Sequence, residues 1–569
     1  MSRPSPSSRR PSCRPSVALA GAAAAALLAL ADATADGGAA AQELGPLTRV
    51  SGGQSPFADC RADRPARQDG ELFRNTEIEP FVAANPTNPN NLLVGHQQDR
   101  WSNGGARGTV ARVSRDGGAS WRAVPVPGVS RCSGGEFLRG TDPWVDFSPS
   151  GVAYYMSLAI DPFPTDPDDP AAFLGFGRNA MLVNRSTNGG RSWSRPITLI
   201  ETDDPRFLND KNSLTADPND SRFVYATWDR LQDFTIPPPE QLVGFPRGGG
   251  PVGARARAKW LKERAEAARS AEQQQPTEVF FKGPTLVTRT TNGGRGWERP
   301  RIVFDPGPNA QTINNLILVQ PDGTVVLFFD HIFSNGTFQI ELLRSSDHGR
   351  TFERRPTLVS PIFASFSGTI TPDQQEGVRD AAILFDVAVD PRNGALYVVW
   401  QDIRFRGVEE VAFSQSADGG RSWSAPVRIN KTPADANRLR QQAFVPSIEV
   451  GPNGRLVVTY YDFRNDEGGA RELTDYWAVF CDPGAADCRN GANWGDELRL
   501  TNRSFDMLDA PVARGHFLGD YMGLERAGDV VYPVFGIATG PNRTDLFTRR
   551  ITFRGGRGDA ATAAVSAAP

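Results

Sequence analysis

The sequence predicts an all-β chain folded as a single β-propeller of four-stranded antiparallel blades, seven the preferred count and six the alternative. Three observations predict it. A turn motif of eight positions occurs five times, a strand–turn–strand pattern occurs seven times between its copies, and turn-forming Gly (57) and Pro (45) are abundant across 569 residues. A chain this long exceeds one ordinary hydrophobic core, so it is either several domains or one repeat architecture. Recurrence at a fixed period decides for the repeat.

The first repeat reads S/T-x-D/N-x-G-x-x-W/F. Its copies start at Ser114, Ser186, Thr290, Ser345 and Ser416 and carry Asp116, Asn188, Asn292, Asp347 and Asp418 at the third position. Each is followed within four residues by Pro. A carboxylate or amide there can accept bonds from the N–H groups of its own turn, and Gly supplies a left-handed backbone. The aromatic then packs beneath the turn. The role is structural, a hairpin connection.

The second repeat is a short apolar strand, a turn of the D-P-x-x-N-G type, a second β-rich strand and a charged residue. Its copies are Glu79–Arg100, Asp142–Asp161, Lys211–Arg230, Asn314–His331, Leu384–Arg404, Val445–Arg464 and Phe517–Ile537. Segments such as Ala395-Leu-Tyr-Val-Val-Trp400 have strand composition. This repeat supplies strands A and B of each blade, and strands C and D flank the turn motif. Dividing residues 75–553 among seven units gives roughly 68 residues each, the length of a blade with generous loops. In the sixth unit the Cys481–Cys488 loop replaces the turn motif. The seventh lacks a fourth strand, and Gly45–Ser51 near the N-terminus has the composition to complete it, removing an open sheet edge. Residues 232–277 interrupt the third blade with a Pro-rich and then charged insertion, a solvated excursion or a lid. The tail, 554–569, is low-complexity and expected to be disordered.

Residues 1–41 read as a signal peptide. Arg3, Arg9, Arg10 and Arg14 form a basic region, Val17–Leu30 a short apolar run, and Ala33-Thr34-Ala35 and Ala39-Ala40-Ala41 small-residue cleavage sites. Export to an extracellular or periplasmic compartment follows, and no stretch is long enough to span a membrane. Beyond the signal, Cys60, Cys132, Cys481 and Cys488 remain, an even set suited to disulfides. Cys481 and Cys488 enclose a short loop, a natural local bridge. By elimination Cys60 pairs with Cys132, although four cysteines allow three pairings. With a net charge of −3 and no basic stripe, nucleic acid is not an expected partner. No cofactor is implied. Asp166-Pro-Asp-Asp169 could take a structural calcium, a solvated acidic loop being the plainer reading. With no coiled coil or helical interface, a monomer is expected.

These motifs, together with Asn209-Asp-Lys211, Trp400-Gln-Asp-Ile-Arg404, Tyr460-Tyr-Asp-Phe-Arg464 and Gly519-Asp-Tyr-Met-Gly523, resemble the secreted bacterial Asp-box (BNR-repeat) sialidase superfamily from Glu71 to Phe553. The resemblance implies a propeller and an exo-acting glycosidase that cleaves terminal sugars, sialic acid among them, from glycans. It also implies three arginines on a substrate carboxylate, a Tyr nucleophile and an acid/base Asp. The chain departs from the family in lacking its Arg-Ile-Pro motif; the region reads Thr76-Glu-Ile-Glu-Pro80. Seven blades also exceed the family's six. A carbohydrate- or protein-binding propeller without catalysis is the competing expectation.

Propeller geometry places strand-B ends and strand-A starts on the face opposite the turn motifs. Arg100, Arg230, Arg404, Arg464 and Lys211 are therefore the expected substrate-binding cations. Asp99 and Asp142 are the acid/base candidates, and Tyr461 or Tyr521 the nucleophile, supported by Asp462 or Asp520. Arg suits a carboxylate because it offers paired, permanently charged donors, and clustered carboxyls shift one another's pKa.

Overall fold

In the computed structural model, residues 42–163, 175–234, 280–364 and 368–553 are described. The signal segment, Asp166–Asp169, most of the 232–277 insertion and the 554–569 tail lie outside them.

The chain is nearly all β, in antiparallel sheets that follow one another in sequence. The first sheet holds Leu72–Ala84, Leu92–Trp101, Ala106–Ser114 and Arg122–Pro125. The second holds Arg139–Phe147, Ala153–Ile160, Asn179–Ser186 and Ile197–Thr202, touching the first through one pair, Ala106 with Gly140. The third holds Phe207–Ala216, Val224–Asp233, Thr285–Thr290 and Arg301–Phe304. The fourth holds Gln311–Val319, Val325–Ile332, Phe338–Ser345 and Thr357–Ile362, and the fifth Phe385–Val389, Leu396–Asp402, Glu410–Ser416 and Val427–Arg428. The sixth holds Ala443–Val450, Leu456–Asp462, Leu473–Cys481 and Gly495–Arg499. In the last, Gly523–Ala527, Val530–Gly540 and Arg543–Phe553 are joined by Gln42–Arg49, which pairs antiparallel with Arg543–Phe553. The N-terminal strand thus supplies the fourth strand that the C-terminal segment lacks, beginning three residues earlier than the sequence suggested. Among the described residues no helix is long and apolar enough to cross a membrane.

The turn motifs act as their chemistry dictates. In the first, Gly118 N–H donates to Ser114 Oγ at 2.8 Å and Ser120 N–H to Asp116 Oδ1 at 2.9 Å, while Trp121 Nε1 donates to Gly118 O at 3.1 Å. The two backbone N–H bonds recur around Asn188, Asn292, Asp347 and Asp418, but the indole bond does not. Trp193 packs edge-on against Tyr155 of its own sheet, and Trp423 against Phe328 of the preceding sheet. Gly190 shows how closely the motif is packed. Its φ is +84°, and a Cβ added there would lie 2.2 Å from Leu93 Cδ2. Gly190→Ala should therefore destabilise the fold by at least about 2 kcal/mol, from left-handed strain and overpacking together; a midpoint unchanged in urea titration would contradict this reading.

Both disulfides take the expected pairing. Cys60–Cys132 fastens the N-terminal segment, and Cys481–Cys488 closes the turn between two strands of the sixth sheet.

First strands of all these sheets face one cavity of about 170 Å³, lined among others by Phe81, Trp144, Thr215, Leu316, Ile448 and Leu524. Asp146, Asp386, Glu449 and Glu525 also border it. Burial raises Asp146 and Asp386 to about 7 and, with Asp386's charge, Glu449 to about 8; burial and Glu449 raise Glu525 well above the usual range. The folded state therefore holds more protons than the unfolded state between about pH 4 and pH 8, so stability falls as pH rises through that window. The expected result is a Tm lower by about 5 °C at pH 8.5 than at pH 5.5 in calorimetry, and the opposite order would refute the assignment.

Candidate active site

A backbone irregularity builds the site. Glu79, Asp142, Lys211, Asn314 and Val445 all have positive φ, between 44° and 55°. Each sits at the register shift of its sheet's first strand. Left-handed non-glycine residues at bulges cost energy and re-aim side chains. Here the bulges of the first three sheets carry Glu79, Asp142 and Lys211, the charged members of the set.

The bulges at Asp142 and Lys211 open onto a cavity of about 310 Å³, within the range of a sugar site. Arg100, Arg379 and Arg514 line it together with Asp142, Asp210 and Lys211, and Leu158, Ile160, Phe163 and Phe176 form an apolar wall. Arg379 comes from the loop before the fifth sheet and Arg514 from the loop before the last. A short parallel pairing of Val378–Arg379 with His516–Phe517 draws the two loops together. Both Arg379 and Arg100 stack on Phe517, at 4.1 and 5.1 Å.

Charge is organised around Asp520. It accepts from Arg379 Nε and Nη2 at 3.1 and 3.0 Å and from Lys211 Nζ. Burial opposes its ionisation, but Arg379 and Lys211 outweigh that and hold its carboxyl well below the usual range. Glu79 is the opposite case. Burial, then the charges of Asp520 and Asp142, raise it to about 8. Gln97 donates to Glu79 and accepts from Arg100 Nη1 at 2.7 Å. Asp210 is raised to about 6 by burial and by Asp142. Arg100 is 2% exposed with its Nε unpartnered, and burial and the Arg379 charge weaken its hold on its proton. Below pH 6 Glu79 and Asp210 hold protons, and the cations around the cavity outnumber the anions. An anionic ligand is what this field attracts.

Of the residues singled out from sequence, Arg100, Lys211 and Asp142 line the cavity, and Asp520 is bonded to its cations. Tyr521 lies beside them against Trp144, its hydroxyl donating to Pro143 O at 3.3 Å. The other candidates lie elsewhere. Asp99 accepts from Ser55 Oγ and Asn75 N–H, each at 2.8 Å, and so anchors the N-terminal segment. Tyr461 is fully buried, its hydroxyl donating to Gly536 O at 2.8 Å. Asp462 accepts from Thr432 Oγ1 at 2.8 Å and from Arg464, which also pairs with Glu497. Arg404 pairs with Asp402 at 2.7 Å, and Arg230 stacks over Phe207 at 4.1 Å. At Arg404 and Arg464 the strand-end charge is satisfied by a local carboxylate, whereas Arg100, which also ends a second strand, reaches the cavity. Arg379 and Arg514 were missed as site residues, although the loops leading into first strands were the place to find them.

Among the described residues, Asp373, Asp466 and Glu472 are close enough to share a metal ion. Arg440 Nε donates to Asp466 at 3.1 Å and its Nη2 to Asp373 at 3.2 Å, while Asp373 N–H donates to Glu472 at 3.1 Å. The cluster is thus internally bonded.

No protein-family model matches the chain, and no curated protein sequence does. Among solved structures it is similar to a protein of unknown function from Dyadobacter fermentans, with 13% identity over 90% of this chain and 99% of that one and a TM-score of 0.44. It is also similar to a Hadza microbial sialidase (14%, 89% and 91%, TM-score 0.41). A third is an α-L-arabinanase of Penicillium chrysogenum (12%, 74% and 94%, TM-score 0.40). At such scores only the site's own chemistry bears on function.

Proposed function

We propose that this chain is an exported, sialidase-like glycoside hydrolase on a closed seven-bladed propeller, which binds and cleaves a terminal carboxylate-bearing sugar at the first-strand bulges. The observation that carries this reading is the convergence of Arg100, Arg379 and Arg514 on one cavity with Asp142 and Asp210. Guanidinium groups from three separate segments suit a single carboxylate. The apolar wall suits the less polar face of a sugar ring or an acyl substituent.

Asp142 and Asp210 supply the acid/base function. Asp210, raised to about 6, keeps its proton for a leaving oxygen in mildly acidic solution, and Asp142 serves as the second carboxylate. Tyr521 stands beside Glu79 and Asp520 as the nucleophile candidate, and its attack requires the hydroxyl to leave Pro143 O. A binding propeller without catalysis is the second reading, favoured by that same hydroxyl contact. Hydrolysis of fluorogenic aryl glycosides by the mature protein separates them. Turnover of a sialoside or uronide that Arg514→Ala abolishes supports the enzyme. Silence on every substrate from folded protein that still binds sugar acids would leave the binding reading.

A further inference from the structure

On the N-terminal segment, Arg61, Arg64, Arg67 and Arg74 line a second concavity of about 470 Å³ together with Asp59. All four arginines are exposed. Several arginines elsewhere in the chain are instead held by a carboxylate two residues away. Arg206 pairs with Asp204, Arg222 with Asp220, Arg392 with Asp390 and Arg489 with Asp487. Among the described residues, the four in the concavity make no side-chain hydrogen bond, ion pair or ring contact.

The platform under them is stiff. Cys60 is bridged to Cys132. Asp63 pairs with Arg107 at 2.7 Å, both side chains fully buried, and Arg107 Nη1 also donates to Phe57 O at 2.8 Å. Arg64 has a left-handed φ of 49° and is followed by Pro65 at the start of a short 3-10 turn. Cations held on such a framework lose little conformational freedom on binding, which raises affinity. Next in sequence, Gln68 accepts from Arg139 Nε at 2.9 Å, and Asp69 O accepts from Asn103 Nδ2 at 3.0 Å. Arg139 and Asn103 both line the central cavity. Gln68 and Asp69, next along the chain from Arg67, thus tie the segment that carries the four arginines to the lining of that cavity.

We propose that Arg61, Arg64, Arg67 and Arg74 form an accessory site for sulfate or carboxylate groups farther along an anionic polysaccharide whose end occupies the central cavity. This rests on the proposed sugar site only for the position of that end. A glycan is favoured over nucleic acid because the four cations are confined to one local concavity and do not form the extended basic stripe that a duplex backbone needs.

The test is calorimetric titration of the mature protein with a chondroitin sulfate hexasaccharide and its desulfated counterpart, at 50 and 300 mM NaCl. The double variant R64S/R67S should weaken sulfated-hexasaccharide binding at least tenfold while leaving turnover of a small aryl glycoside unchanged. High salt should weaken the wild type and barely affect the variant. Arg379→Ala should leave a measurable, salt-sensitive affinity for the hexasaccharide even if it abolishes turnover. Equal affinities of wild type and R64S/R67S for the hexasaccharide would overturn the inference. Binding of a DNA duplex as tightly as the hexasaccharide, lost in R64S/R67S, would reassign the surface to nucleic acid and overturn it too. Loss of binding with Arg379→Ala alone would place the whole glycan in the central cavity, sparing the proposed function and refuting the accessory site.

Discussion

Replacing Arg379 by Ala is expected to lower kcat/KM by two to three orders of magnitude with a small change in stability. Arg379 both lines the cavity and donates twice to Asp520. Removing it takes one guanidinium from the substrate carboxylate and leaves Asp520 to Lys211 alone. Truncating one partner of a buried charge pair costs about 2–5 kcal/mol, most of which appears here in binding and orientation. Lys211 remains on Asp520, so the fold is not left with a bare buried charge. Arg464→Ala is the informative contrast. Its guanidinium serves Asp462 and Glu497 and stacks over Trp477 at 3.9 Å, so its loss should reduce stability and spare turnover. Steady-state kinetics and urea titration on both variants decide. Equal kinetic damage from the two, or none from Arg379→Ala, would refute the assignment of the cavity.

Asp210→Asn is the second large effect. With Asp210 raised to about 6, a general acid is lost as pH climbs past that value, so wild-type turnover should fall on the alkaline side of pH 6. The Asn variant should lose about 10²–10⁴-fold in kcat and show no such limb. Stability should move the other way. A carboxyl whose folded pKa is raised costs stability once pH passes from its unfolded value near 4 through about 6, so Asn should make the protein more stable at pH 8 and nearly neutral in effect at pH 4. A pH–rate profile unchanged in Asp210→Asn would remove the residue from the chemistry.

Much of the architecture was legible because the repeats are short-range devices. A Ser, an Asp, a Gly and a Trp within eight positions specify a turn without knowledge of the rest of the chain, and Asp116, Asn188, Asn292, Asp347 and Asp418 all form it. The Cys481–Cys488 bridge and the pairing of Gln42–Arg49 with the C-terminal strand followed from asking what each incomplete unit lacked. The site was legible only in part. Arg100, Lys211 and Asp142 sit at or near bulges that coincide with the start or end of a repeat copy, so their positions could be counted. Arg379 and Arg514 lie in loops of no fixed length, and what unites them is a two-residue parallel pairing between segments about 140 positions apart. No local pattern encodes such a contact. Arg404 and Arg464 were misleading for a related reason: a strand-end Asp-x-Arg favours its own local ion pair, which satisfies both charges before any ligand arrives.

The most direct measurement is equilibrium binding of N-acetylneuraminic acid and of its methyl ester to the mature protein, with Arg514→Ala beside the wild type. Arg514 is exposed at the cavity and its loss should not disturb the fold. Binding of the free acid that falls at least tenfold on esterification and again on removal of Arg514 is the predicted result. Equal affinity for acid and ester, or indifference to Arg514, would contradict a carboxylate-binding site at these bulges.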